Sequence, residues 1–422
     1  MALPTLPDGP LRLDNIRVPA HCLDGGEGMV ATSLAIEGGA IVAGAPGAPV
    51  LDMGGAMAFP GFVDMHTHLD KGHIWPRTPN PDGSFEGALG AVRGDSSARW
   101  SAEDVRARMT FSLKSAYAHG TRAIRTHLDS HAPQDTISWG LFPEIRAEWE
   151  GRISLQAACL VACDYALTEE FQRTADLTAA AGGVLGMVTY PSPDLQAQLD
   201  AFFAAAEARG LDADFHVDET MDASVDTLRD IAQTVIDRGF DRPVTVGHLC
   251  SLSVMDEAEA LHTLDIVARA GLHVVSLPMC NMYLQDRHAA RTPRNRGITL
   301  VHEMAARGIP VSFSSDNTRD PFYAYGDMDM LEVMREATRI GHLDHSVFDW
   351  TRAYLGNPAA ACGFEAPSLA PGAPADLVIC NARSWTELFA RPQSDRIVLR
   401  DGQVIDRTLP DYAELDHLME PS

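Results

Sequence analysis

Histidine and carboxylate residues recur at one kind of place in this chain, just after a short apolar run. His66-Thr67-His68 follows the run that begins Phe59-Pro60-Gly61-Phe62-Val63. His127-Leu128-Asp129 closes a second run, His216-Val217-Asp218-Glu219 a third, His248 a fourth and Asp316 a fifth. In a strand, residues i and i+2 share a face, so His66 and His68 can point at one ion. Imidazole suits the borderline-soft divalent metals, which lower the pKa of bound water from about 15.7 to about 7. Surface or core histidines also produce an HxH. What sets this one apart is the company of histidines and carboxylates on later runs. For His127 the residues leave two places open, the mouth beside an ion or the uppermost core layer.

Residues of this kind need elements to converge them. Eight candidate strands lie in the middle of the chain: 57–66, 121–129, 153–161, 184–190, 213–218, 244–249, 273–279 and 310–316. Helical patterns separate most of them. Ser101-Ala-Glu-Asp104 has the form of a capping box, opening a helix that runs toward Ala118 before Gly120. The patterns at 196–208 and 224–238 have 3.6-residue periodicity and stop at Gly210 and Gly239. Eight βα units predict a (β/α)₈ TIM barrel, in which chemistry sits at the C-terminal ends of the strands. A doubly wound open sheet is the alternative, but neither GxGxxG nor a P-loop lysine follows the first strand. Both chain ends carry short glycine-punctuated strands, at 11–18, 33–36, 40–43, 375–380, 396–399 and 403–405. They predict a small β domain, a β-sandwich built from 1–58 and 366–422, around a barrel of 59–365.

Composition limits the partners. The chain has 422 residues, 45% hydrophobic and 22% charged, with a net charge of −25. That is enough apolar content for a large core. The acidic balance argues against nucleic acid, which needs a basic surface, and fits a small-molecule substrate. Met1–Pro10 lacks the pattern of a secretory signal. The longest uncharged stretch, 177–193, is too short and too broken by glycine and proline to span a bilayer. Seven cysteines with no CxxC pair suit a reducing cytoplasm; Cys159 and Cys163 read as small core residues. Homo-oligomerisation is left open.

The run Pro60-Gly61-Phe62-Val63-Asp64-Met65-His66-Thr67-His68 resembles the first-strand signature of the amidohydrolase superfamily, and in particular bacterial cytosine deaminases. The similarity continues through Ser84-Phe85-Glu86-Gly87, Arg125-Thr126-His127-Leu128-Asp129, His216-Val217-Asp218-Glu219, Asn281-Met282-Tyr283-Leu284-Gln285-Asp286-Arg287, Arg296-Gly297-Ile298-Thr299 and Ser315-Asp316-Asn317-Thr318-Arg319-Asp320-Pro321. The resemblance implies a mononuclear site with His66, His68, His216 and Asp316 as ligands to Zn²⁺ or Fe²⁺. It implies Glu219 as proton shuttle and His248 as the histidine beside the reacting water, with Asp316 sharing in catalysis. Binuclear members carry a lysine at the end of strand four. Here that strand ends Met187-Val188-Thr189-Tyr190, so one ion is expected; Lys71, just after strand one, is not in that position.

The implied activity is hydrolytic deamination of a cytosine-like or related amino-substituted N-heterocycle. Glu219 would protonate a ring nitrogen and later the departing amine. His248 would orient the nucleophile or stabilise developing charge. The pattern departs from the deaminases at three places: Ala162 stands where they carry a pyrimidine-holding glutamine, Asn317 follows Asp316 where they carry a pair of aspartates, and Phe322 replaces their tryptophan. Gln285, Asn281, Asn317, Phe322 and His127 are the candidate substrate contacts. Triazine or N-alkyl aminohydrolases and cyclic-amide hydrolases are the alternatives within enzymes; a silent barrel acting as a binding module is the alternative outside them. His73 reads as a surface histidine. The segment 77–84, rich in proline and glycine, reads as a loop over the site and a candidate lid.

Overall fold

The computed structural model describes residues 3–392 and 395–419. Its centre is eight strands: β1 (Phe62–Thr67), β2 (Thr121–Asp129), β3 (Ser154–Leu160), β4 (Leu185–Thr189), β5 (Ala213–Val217), β6 (Val244–His248), β7 (His273–Ser276) and β8 (Val311–Phe313). All pair in parallel, β1 to β3 in one ladder and β4 to β8 in another. Single bridges join the ladders. Ala158 meets Val184 and Ala162 meets Val188 between β3 and β4, while Thr67 meets Asp316 where β1 adjoins the end of β8. The circle is closed, so the chain folds as the expected (β/α)₈ barrel. Every residue of β5 and β6 is buried, as strands covered by helices must be.

The helices follow their local signals. Ser101 Oγ accepts the Asp104 N–H at 3.2 Å and starts the helix Ala102–His119. Gly120 ends it in the left-handed region, φ 104°, and a Cβ there would run into the Val378 side chain. Glycine is therefore needed twice over, for the turn and for the close approach. Gly210 and Gly239 stop Leu195–Arg209 and Thr227–Arg238 in the same left-handed conformation. The latter starts three residues later than its periodicity suggests, because Asp226 caps it by accepting the Arg229 N–H.

Three strands differ from expectation, the simplest being 310–316, which is a strand only over Val311–Phe313. The run 57–66 is divided at Gly61. Met57–Pro60 pairs antiparallel with Leu377–Cys380, and only Phe62–Thr67 enters the barrel. A Cβ on Gly61 would lie 2.7 Å from Arg122 Cβ, so the crossing between sheets is made where no side chain fits. At 273–279 the strand stops at Ser276, and Pro278 opens the helix Pro278–Leu284; proline is suited to a first helical turn.

The strands of both chain ends are joined in one continuous hydrogen-bonded sheet. Its order is Gln403–Val404, Arg396–Arg400, Leu377–Cys380, Met57–Pro60, Leu11–Pro19, Met29–Glu37 and Ala40–Val42, with Val50–Asp52 also on Leu11–Pro19. Alternation names the strands but not their partners, which is why pairing was not readable. Positions 1–2, 393–394 and 420–422 of the expected terminal unit lie outside the described residues. Three buried or half-buried arginines fasten the sheet to the barrel: Arg396 to Asp329, Arg400 to the Thr121 carbonyl at 2.8 Å, and Arg122 to Asp376 at 2.7 Å.

Candidate active site

The closing seam of the barrel is also where the chemistry gathers. The Asp316 N–H donates to the His66 carbonyl at 3.0 Å. Asp64, buried on β1, accepts from Ser315 N at 3.1 Å and Ser315 Oγ at 2.5 Å. Burial pushes its carboxyl up to about 6 despite these bonds. His66 and His68 at the end of β1 and Asp316 beyond β8 are thus set side by side by backbone pairing.

His68 Nε2 lies 3.3 Å from Asp316 Oδ1 and 3.3 Å from His216 Nε2; His66 Nε2 is 3.6 Å from Asp316 Oδ1. The ligand atoms of His66, His68, His127 and His216 lie within 4.8 Å of one another, and so do those of His66, His248 and Asp316. Two nitrogens bound at 2.0–2.1 Å to one tetrahedral ion stand about 3.3 Å apart, the spacing seen between His68 and His216. Both His66 nitrogens, Nδ1 of His68 and of His216, Nε2 of His248 and both Asp316 oxygens are buried without a hydrogen bond. Leaving such atoms unpaired costs about 1–3 kcal/mol each; a shared cation answers several at once. Burial, reinforced by neighbouring positive charge, drives His66, His68 and His216 well below the usual imidazole range. They are neutral, as ligands must be. The donor set fits a divalent ion.

Positive φ angles at three strand ends turn the remaining groups over the mouth: Asp218 at 51°, His248 at 73° with Leu249 at 55°, and Asp316 at 63°. Such angles are rare outside glycine and cluster where function over-determines the backbone. Asp218 fixes the loop after β5 by accepting Thr227 N at 3.1 Å, Thr227 Oγ1 at 2.6 Å and Leu228 N at 3.1 Å. The next residue, Glu219, is held over the cluster. Burial first, then the charge of Asp316, raises its carboxyl well above the ordinary range. Burial also pushes Asp316 up to about 7 and His248 down to about 3.

The expected substrate contacts divide. Asn281 is buried, and its Nδ2 donates to Glu219 Oε1 at 3.2 Å and to His248 Nδ1 at 3.0 Å. It clamps the two groups together. Gln285 Nε2 donates to the Glu219 carbonyl at 3.1 Å. Asn317 Nδ2 donates to Asp320 Oδ2 at 2.7 Å. Phe322 stands edge-on to Phe85, ring centres 5.5 Å apart. His127 lies beneath His66, tied to the barrel floor. It is fully buried, its Nε2 3.0 Å from Asp214 Oδ1 and its Nδ1 3.4 Å from the Thr67 carbonyl. It fills the layer under His66, ring centres 4.1 Å apart. His73 is also buried rather than exposed, packed on Phe111. Gln156 is tied low in the barrel to Arg125 and the Cys362 carbonyl, and half-buried Ala162 carries no donor side chain at its place after β3. All seven cysteines are buried and free. The loop 77–84 is anchored: Arg77 pairs with Asp95 and Asp104, and Asn80 Nδ2 donates to the Pro321 carbonyl at 3.0 Å.

Asp214 was not foreseen. It lies two residues before His216 on β5, and Arg125 two before His127 on β2. The i, i+2 rule that pairs His66 with His68 places both one layer beneath the cluster. Asp214 Oδ2 accepts from Arg125 at 2.8 Å, so a buried Arg125–Asp214–His127 chain carries the floor of the site.

The sequence profile of the amidohydrolase family matches residues 49–138 and 163–406. The chain belongs to the amidohydrolase family. It is 54% identical to a pterin deaminase of Rhizobium rhizogenes over 419 residues, 96% of this chain and 95% of that one. Its fold is similar to that of 5-methylcytosine deaminase from Klebsiella pneumoniae, with TM-score 0.79 and 23% identity over 93% of this chain and 97% of that one. It is also similar to N-isopropylammelide isopropylaminohydrolase from Burkholderia multivorans, with TM-score 0.72 and 26% identity over 94% and 98% of the two chains. This amidohydrolase is a hydrolase acting on carbon–nitrogen bonds other than peptide bonds, and its histidine and aspartate cluster indicates a divalent metal. Among the described residues no helix is long and apolar enough to cross a membrane.

Proposed function

We propose that this amidohydrolase is a metal-dependent deaminase of a pterin-type ring, a fused heterocycle bearing an amino group beside a ring nitrogen and an oxo group. The observation that carries the substrate is the 54% identity to a pterin deaminase across nearly the whole chain. It displaces cytosine as the first expectation. Ala162 is consistent with that, since a side chain there that holds a single pyrimidine ring is absent. The reading keeps the division into a barrel of 59–365 and a terminal unit of 1–58 and 366–422.

His66, His68, His216 and Asp316 would hold one divalent ion, zinc or iron, which supplies Lewis acidity and a water of lowered pKa. Burial and the charge of Asp316 favour the acid form of Glu219. It gives its proton to the ring nitrogen next to the amino-bearing carbon, which makes that carbon electrophilic. Water adds to the carbon and gives one proton by way of Glu219 to the amine; as the C–N bond breaks and ammonia departs, the carbon becomes a carbonyl and the remaining hydroxyl proton restores the acid form of Glu219. Because the Asn281 amide donates to His248 Nδ1, the proton of that neutral ring sits on Nε2. His248 therefore acts as a donor toward developing negative charge, not as a base. Asn281 keeps Glu219 and His248 in register.

The test is ammonia release by metal-replete protein from 2-amino-4-oxopteridine and from cytosine. The expected result is a kcat/KM for the pteridine at least about 100-fold the higher. A preference for cytosine, or alkylamine release from an N-alkyl triazine at greater efficiency, would replace this reading with the corresponding sister activity.

A further inference from the structure

Of the 33 lysines and arginines only two are lysine, Lys71 and Lys114. A chain that otherwise writes positive charge as arginine keeps one of its two ammonium groups at the mouth of the barrel. Lys71 is buried, three residues past His68, in a turn whose Lys71 and Gly72 N–H groups donate back to the His68 carbonyl. Its Nζ lies 2.9 Å from Asp129 Oδ1 and 5.6 Å from the centre of the Phe322 ring. Its charge acts on His68, His216, Glu219, Asp316 and Asp320, groups at the ends of β1, β5 and β8.

A structural ion pair between the loops after β1 and β2 is the plainer account, but those loops are joined without it. Asp70 Oδ2 accepts the Asp129 N–H at 2.9 Å and Ser138 Oγ at 3.2 Å. Burying an ammonium to duplicate that tie gains little, because desolvation offsets the attraction. An ammonium has three N–H donors; among the described residues Asp129 is the one carboxylate in direct contact with it, with Asp70 and Asp320 acting on it from farther away. A compact point donor, unlike the flat fork of arginine, suits a single carbonyl oxygen.

We propose that Lys71 is a specificity-determining residue which donates from Nζ to the ring oxo group of the substrate, with Asp129 holding the ammonium in place. This rests on the reading of the chain as a deaminase of oxo-substituted rings.

The experiment uses metal-loaded Lys71→Met and wild-type enzyme with 2-amino-4-oxopteridine and with 2-aminopteridine, which lacks the oxo group. Metal content and Tm are measured alongside. Calorimetry gives the Kd of 2,4-dioxopteridine, which does not turn over. The expected result is a 10- to 100-fold fall in the oxo-to-deoxo ratio of kcat/KM, with a similar loss of dioxopteridine affinity and unchanged metal content. Lys71→Gln, which keeps a shorter uncharged donor, should recover part of both and serves if the methionine variant does not fold. An unchanged ratio, or equal losses on both substrates together with lost metal or a lowered Tm, would overturn the assignment. Should the wild type deaminate neither pteridine, the proposed function fails by itself, and unchanged dioxopteridine binding in the variant would still refute Lys71.

Discussion

Gly247 offers a test of whether the ligand cluster is held by packing. It sits on β6 beside His248, outside the positive-φ set, so alanine introduces no backbone strain. A Cβ there would lie 3.2 Å from His66 Cε1, 3.4 Å from His66 Nδ1 and 3.4 Å from Val275 Cγ1. Carbon contacts settle at about 3.5–4.0 Å, so the His66 ring must move by at least about 0.3 Å. Behind it stands His127, whose own ring is bonded to Asp214, and β1 is pinned by Asp64 to Ser315. Metal–ligand distances tolerate about ±0.2 Å. The shift exceeds that, so Gly247→Ala should weaken metal binding about 10- to 100-fold and cost about 1–3 kcal/mol of stability by overpacking. Competition against a chromophoric chelator gives the first number, and denaturant unfolding of metal-free protein the second. Gly94→Ala, in the helix Phe85–Arg99 with nothing within 4 Å of its added carbon, is the control and should gain stability. Wild-type metal affinity in Gly247→Ala would refute the claim that rigid packing places His66.

Glu219→Gln should lower kcat about 10²- to 10⁴-fold with metal content intact; near-normal turnover would remove it as the proton carrier. Asp214→Asn strips the buried Arg125 of its ion partner and should cost about 3–5 kcal/mol in denaturant titrations, whereas a neutral effect would mean the chain under His66 is dispensable. Burial, with Arg319 and Arg108 nearby, pushes the His73 imidazole down to about 3, against about 6.5 unfolded. The unfolded chain therefore takes up the proton first, and stability present above about pH 6.5 is lost as pH falls toward 3. His73→Asn, which tolerates the φ of 64°, should be less acid-sensitive by about 2 kcal/mol at pH 5, and parallel pH curves for the two proteins would disprove it.

The barrel was readable because its strands announce themselves as apolar runs and its helices carry caps at Ser101 and stops at Gly120, Gly210 and Gly239. His66, His68, His216, His248 and Asp316 were readable because each ends such a run, and barrel closure then brings strand ends together. What stayed hidden depends on pairing across the chain. The break at Gly61 is invisible in a run that is apolar on both sides, because what ends one sheet there is the Arg122 side chain. His127 gave no sign of whether it faced up or down until Asp214 was placed beside it. Asn281 was picked out, but its bonds to Glu219 and His248, which come from two other strand ends, could not be read from its own segment.

The segment that carries His66 and His68 leaves the outer sheet only at Gly61, and there Met57–Pro60 lies against Leu377–Cys380. During synthesis, the first two histidines of the cluster are made early, yet the strand that anchors their approach waits for a partner more than three hundred residues downstream. Release of the finished carboxy-terminal part, after the barrel strands have been made, then gives Met57–Pro60 that partner. A nascent chain halted after residue 365 would have every proposed ligand and the Arg125–Asp214–His127 floor beneath His66, but no 377–380 strand for Met57–Pro60 to lie against.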